Sequence, residues 1–210
     1  MHTNPAEPAA GHAMRPVGIV GRKRSGKDTV AAQLVAAHGY TRVAFGDPVK
    51  ALAEAVNPII VGPADLLGRP GERLRAVLDR HGWDQVKEDL PRARDLLQTL
   101  GTGVRDLIDP HAWIDAWARH AETVPGPLVV PDVRFPNEAE HLRSLGFVLI
   151  RVSRPGLPST DTHVSETGSD LIATDHHLIN GGTLADLSAA VETLTEEQLT
   201  CSTTSAGTRP

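Results

Sequence analysis

The chain is short of several things. It holds one cysteine, Cys201, which excludes an internal disulfide framework and suits a reducing compartment. Aromatics are scarce, with three Phe, one Tyr and three Trp, so a core must be built from Val, Leu, Ile and Ala. Positive charge is not in excess: 21 Lys and Arg against 26 Asp and Glu leave a net charge of -5. Binding a nucleic-acid polymer needs a basic surface, so a polymer is not an expected partner. No apolar run approaches the roughly 20 residues that span a bilayer. Residues 1–15 lack the apolar stretch of a signal peptide, so no membrane partner is expected and the location expected is the cytoplasm. The ten histidines show no metal-binding spacing, and no Ser-His-Asp arrangement is legible. A length of 210 residues suits one α/β domain with insertions.

What is present is Gly-Arg-Lys-Arg-Ser-Gly-Lys-Asp-Thr at 21–29, behind the apolar run 17–20 and ahead of a helix-like segment, 30–37. Strand, glycine loop, lysine and helix in that order form the context of a phosphate loop. Gly21 and Gly26 allow a tight turn whose N–H groups converge on a phosphate, with Ser25 inside it. Lys27 reaches the β and γ oxygens, and the helix behind adds its positive dipole end. Asp28 stands where a Ser or Thr is usual, and Thr29 comes one place late. Aspartate points the right way to take the metal role for Mg²⁺, directly or through a water, with Thr29 on a phosphate oxygen; the other reading is that Asp28 only neutralises nearby Arg22, Lys23 or Arg24.

Along the chain, 41–45 reads as a second strand, and Asp47-Pro48 as the N-cap and first position of a helix carrying Lys50. A Gly/Pro-rich loop, 57–71, contains Arg69. Segments 72–80 and 92–107 read as helices, and Asp109-Pro110 repeats the cap signature before a helix over 111–120. This run of helices without a strand (about 57–121) is expected to form an acceptor-binding insertion. Strands follow at 128–132, 147–152 and 177–180, with helices at 137–145 and, after a capping box of Thr183 and Asp186, up to about 194. The aperiodic stretch from about 153 to 170 is expected to be a lid. Residues 1–15 and 199–210 read as flexible ends around one domain, 16–198. The fold expected is a five-stranded parallel sheet with helices on both faces.

The remaining candidates follow strands, where such a sheet places its ligands. Arg24 lies in the loop and can face the γ-phosphate or an acceptor phosphate. Asp132 can hold Mg²⁺ through water or take a proton, and Arg134 can clamp a phosphate bidentately. Gln98 and Arg105, seven apart, share a face if their helix continues, and Gln offers both a donor and an acceptor to a base edge. Arg151 and Arg154 flank the lid, where arginine over a transferring phosphoryl group spreads its charge. Asn180 and Thr183, after the last strand, either hold an adenine ring against the backbone or form a turn and helix cap.

Four blocks in one order carry a resemblance: the loop 21–29; Phe-Gly-Asp-Pro-Val-Lys at 45–50; Leu-Leu-Gln-Thr-Leu-Gly-Thr at 96–102 with Arg105 and Trp113; and Asp-Val-Arg-Phe-Pro-Asn-Glu at 132–138. So arranged, the chain from about 17 to 194 resembles the phage-type deoxynucleoside monophosphate kinases. The resemblance implies a three-layer phosphate-loop kinase fold with a lid. It also implies transfer of the γ-phosphoryl group of ATP, with Mg²⁺, to a deoxynucleoside monophosphate in the cytoplasm of a host cell. It places Ser25, Gly26, Lys27, Asp28 and Thr29 on the ATP phosphates. Arg24, Lys50, Arg69, Gln98, Thr102, Arg105, Trp113, Asp132, Arg134 and Glu138 fall on the acceptor side, and a homodimer is one option for the assembly.

Phosphoryl transfer asks a protein mainly to position two polyanions and neutralise charge, and the cations named are enough. The rivals are a kinase of the dephospho-coenzyme A or phosphomevalonate type, and a nucleotide-binding switch with no acceptor. The block at 96–102 speaks against the former, and Arg24, Arg105 and Arg134 against the latter.

Overall fold

Val17 to Val20 carry no polar alternation and are buried throughout, which is how the middle strand of a parallel sheet covered on both faces should read. The structure, a computed structural model, describes residues 13–62, 71–157 and 168–201. In chain order its elements are β1 (Ala13–Met14), β2 (Val17–Val20), α1 (Lys27–His38), β3 (Thr41–Arg42), α2 (Gly46–Val56), β4 (Ile59–Val61) and β5 (Glu72–Arg73). There follow α3 (Leu74–Asp89), α4 (Pro91–Leu107), α5 (Ala112–Ala121), β6 (Leu128–Val133), α6 (Pro136–Ser144), β7 (Val148–Ser153), β8 (His176–Ile179), α7 (Leu184–Leu194) and β9 (Thr200–Cys201). They fall into two units, Met1–Arg42 with Pro125–Pro210, and Val43–Val124.

The first unit holds the expected five-stranded parallel sheet, in the order β3-β6-β2-β7-β8. Val17, Ile19, Ile150 and Val152 point to the face covered by α1 and α7, meeting Val30, Leu34, Leu187 and Val191 in one core. The opposite face is covered by α6, whose Leu142 crowds Gly18 from above. Thr183 caps α7 as expected: its hydroxyl accepts from Asp186 N at 3.2 Å, and the Asp186 carboxylate accepts from Thr183 N at 2.7 Å. The ends depart from expectation. Ala13–Met14 pairs antiparallel with Thr200–Cys201, so residues on both sides of the expected domain limits belong to a ladder.

The second unit packs α3 and α4 around Leu74, Val77, Val86 and Ala93. Four expectations are corrected here. The strand over 41–45 stops at Arg42, because the carbonyl of Val43 accepts the indole N–H of Trp117 at 3.0 Å and Phe45 lies against that ring, 5.0 Å between centroids. Asp47 is not an N-cap. The helix starts at Gly46, and the Asp47 carboxylate accepts instead from Ala44 N at 3.0 Å and from Lys50 Nζ at 3.1 Å. Asp109 likewise makes a turn, accepting from His111 N at 2.8 Å, and the helix begins at Ala112. The helical run is also not free of strands: β4 and β5 pair antiparallel, Ile59 opposite Arg73, which leaves α3 to start at Leu74. Arg69 and residues 158–167 of the expected lid lie outside the described residues.

Candidate active site

The loop after β2 is held in shape by its own main chain and by β8. Ser25 N donates to Arg22 O at 3.1 Å, Arg24 adopts φ 64, and Gly26 adopts φ 103. A left-handed residue without a Cβ is what this turn requires at 26. A Cβ there would also run into the side-chain amide of Asn180. Gly21 is hemmed in as well, since a Cβ would lie 2.6 Å from Val152 O and 2.7 Å from Ser25 Oγ. The helix α1 begins at Lys27, directly behind Gly26, and no side chain caps its first turn. Uncapped N–H groups at a helix start, aligned with the dipole, form an anion site.

Lys27 is 8% exposed, with Nζ 3.7 Å from the Asp28 carboxylate. The Asp28 side chain is 81% exposed, and Thr29 is exposed beside it. The guanidinium of Arg22 pairs with Asp170 at 2.6 Å. Sequence reasoning missed Asp170, and no local pattern links residues so far apart. Among the described residues no group of three or more His, Cys, Asp or Glu converges on a metal position.

Asp132 is the last residue but one of β6 and is half-buried, as is Arg134 just beyond the strand. Glu138, expected on the acceptor side, has another task in this structure. Its carboxylate is 7% exposed and accepts from Arg134 N at 2.7 Å and Phe135 N at 3.0 Å, which fixes the turn that carries Arg134. Burial pushes the Glu138 carboxyl up to about 7, and the negative charge of Asp132 works in the same direction against those two hydrogen bonds.

Three expected ligand contacts are engaged within the protein. Arg151, read as a cation over the transferring group, donates to the carbonyls of Ser169, at 3.0 Å, and Ile172, closing the turn where the long loop ends. Its charge is used to satisfy main-chain acceptors, whereas Arg154 is exposed. Asn180 is buried and donates to Ser25 O at 2.9 Å, so it supports the loop from behind. Thr183 is the helix cap of the two readings open to it.

In the second unit α4 runs unbroken from Pro91 to Leu107, so Gln98, Thr102 and Arg105 do share a face. The Thr102 hydroxyl donates to Gln98 O at 2.7 Å. Arg105 Nε meets Asp106 Oδ1 at 2.7 Å, a bond that holds the Asp106 carboxyl below its usual range. Trp113 donates its indole N–H to Gly101 O at 2.8 Å, which orients the ring from α5 against α4. Lys50 lies one turn beyond Asp47 on α2 and pairs with it at 3.1 Å.

A parallel sheet with helices on both faces and a glycine loop between its middle strand and a helix defines a phosphate-loop nucleotide-binding fold. The family of deoxynucleotide monophosphate kinases matches residues 84–191. A protein of Acanthamoeba polyphaga mimivirus, assigned provisionally as a deoxynucleotide monophosphate kinase, is 32% identical over 177 residues, which cover 81% of this chain and 90% of that protein. The deoxynucleotide monophosphate kinase of Escherichia phage RB69 is 34% identical over 126 residues, 55% of this chain and 52% of the relative. That of Enterobacteria phage T4 is 33% identical over 113 residues, 50% and 46% respectively. The chain thus spans about half the length of the two phage relatives. It belongs to the deoxynucleotide monophosphate kinase family, and is a phosphotransferase. Among the described residues no helix is long and apolar enough to cross a membrane.

Proposed function

We propose that the loop at 21–29 holds the triphosphate of ATP, and that the γ-phosphoryl group passes to a deoxynucleoside 5′-monophosphate, yielding the diphosphate for DNA precursor synthesis. The start of α1 carries this reading: an uncapped first turn, a left-handed Gly26 and a buried Lys27 form a seat for a polyanion. An anionic oxygen of the acceptor phosphate attacks the γ-phosphorus. The bond to the bridging oxygen breaks, and ADP leaves with its electrons. No general base is needed, because the attacking oxygen carries no proton to remove.

The work of the residues is placement and charge. Lys27 bridges the β and γ oxygens, where its contact tightens as charge shifts toward the leaving group. Arg24 and Arg134 take phosphoryl oxygens, with Arg134 pre-set by Glu138. Lys50, Gln98, Thr102, Arg105 and Trp113 are assigned to the acceptor nucleotide, and Arg154 to the lid. Mg²⁺, when bound with ATP, neutralises charge on the triphosphate. Asp28 would hold it, directly or through water, with Asp132 as the second carboxylate.

The test is Lys27→Met beside Arg134→Lys. Lys27→Met should lower kcat by about a hundredfold or more while the protein stays folded, and raise KM less. Arg134→Lys keeps the charge but loses the planar fork, so the monophosphate should bind more weakly with ATP almost unaffected. A Lys27→Met enzyme with near-parental kcat would end the reading. A substrate panel of all deoxy- and ribonucleoside monophosphates, with dephospho-coenzyme A and phosphomevalonate as controls, identifies the acceptor.

A further inference from the structure

Glycine inside a helix costs about 1 kcal/mol relative to alanine, so Gly101 and Gly103, both within α4, call for a reason. Conformation does not supply one, because neither residue has a positive φ. Packing does not either. A Cβ on Gly103 would meet nothing within 4 Å, and one on Gly101 would meet only Val49 Cγ1 at 3.9 Å, an ordinary contact.

At about 100° per residue the two glycines lie on nearly opposite sides of the helix, about 160° apart. Gly103 continues the side of Leu96, which packs against the apolar core of this unit. Gly101 lies about 60° from Gln98 and about 40° from Arg105, between them along the axis. Its carbonyl accepts the indole N–H of Trp113. Midway along the axis, the flank of the polar stripe opposite Thr102 is therefore bare main chain, half-buried, with the amide of Gln98 toward one end, the guanidinium of Arg105 toward the other and an anchored indole beside it.

We propose that Gly101 is a specificity-determining residue, whose bare main chain seats the deoxyribose of the acceptor nucleotide and the adjoining edge of its base. This rests on the assignment of Gln98 and Arg105 to the acceptor. With a rise of 1.5 Å per residue, those two side chains start about 10 Å apart along the axis, comparable to the reach from a base edge to its 5′-phosphate. Gly101 falls under the middle of that reach, where the sugar lies. A methyl group at 101 would occupy the volume of sugar atoms without touching anything the fold needs. Helix stability has been given up at 101 in exchange for room.

The experiment compares Gly101→Ala and Gly103→Ala with the parent enzyme, by thermal unfolding and by kinetics with each deoxynucleoside monophosphate at saturating ATP. Both variants should unfold at a higher temperature, since alanine favours the helix and neither methyl meets a clash. Gly103→Ala should leave the monophosphate KM at its parental value. Gly101→Ala should raise it about tenfold or more, within what one methylene commands in a fitted pocket, and leave the ATP KM unchanged. Equal monophosphate KM values in the two variants overturn the proposal, as does a Gly101→Ala enzyme less stable than the parent. Gln98→Ala and Arg105→Ala separate this from a failure of the underlying assignment: if neither raises the monophosphate KM, the acceptor face is wrong and this inference falls with it.

Discussion

The side-chain amide of Asn180 donates to the carbonyl of Ser25 at 2.9 Å, joining the end of β8 to the phosphate loop. That amide also occupies the space a Cβ on Gly26 would need, so the two residues are fitted to each other. Asn180→Ala strands a carbonyl in a buried setting, at a cost of about 1–3 kcal/mol. We expect urea unfolding to show that loss, and the KM for ATP to rise more than the KM for the monophosphate. Parental stability and an unchanged ATP KM would mean the bond is idle.

Glu138 should make stability depend on pH in an unusual direction for a carboxylate. Its carboxyl titrates near 7 in the folded chain, above its ordinary value of 4.5, so the folded state holds the proton more tightly. The stabilisation is fully present below the ordinary value and is lost as pH rises through about 7. Glu138→Gln keeps an acceptor for Arg134 N and Phe135 N but cannot ionise. Unfolding free energy measured from pH 5 to 8 should therefore decline less in the variant than in the parent. Parallel curves would remove Glu138 as the cause.

Asp28 and Thr29 separate on a magnesium titration. One step along a helix turns a side chain by about 100°, so the two cannot share a role. Asp28→Asn should raise the Mg²⁺ concentration for half-maximal rate and lower the rate at saturation. Thr29→Ala should lower the rate with little change in magnesium demand. If the Asp28→Asn curve stays in place, Asp28 does not serve the metal.

Much of the sheet and the loop was legible because their signals are local. A short unbroken apolar run ahead of a glycine loop reads as a strand buried on both faces, while the helix behind the loop, read over 30–37, begins three residues earlier at Lys27. Thr183 and Asp186 announced their cap for the same reason. What escaped depends on partners far along the chain. The carbonyl of Val43 is taken by the indole of Trp117, which no propensity at 41–45 reveals. Arg151 reads as a free cation until Ser169 and Ile172 present their carbonyls to it. Glu138 sits in a signature block and is easily taken for a ligand contact, whereas its bonds go to the main chain of Arg134 and Phe135. A motif marks which residues matter; it does not separate those that touch a ligand from those that hold its neighbours in place.

The position of β2 bears on how the protein comes into being. Val17 is made more than a hundred residues before either of its two neighbours in the sheet, Val129 and Val148. Pairings so distant in sequence must await most of the chain and bear a large loop-closure entropy, so they form late. The glycine loop that follows β2 therefore emerges from the ribosome long before it has a scaffold. Nascent chains stalled before β7 has emerged should fail to be retained on immobilised ATP, and those stalled after β8 should be held. Retention of the shorter chains would show that the loop takes its shape without the strand at its side.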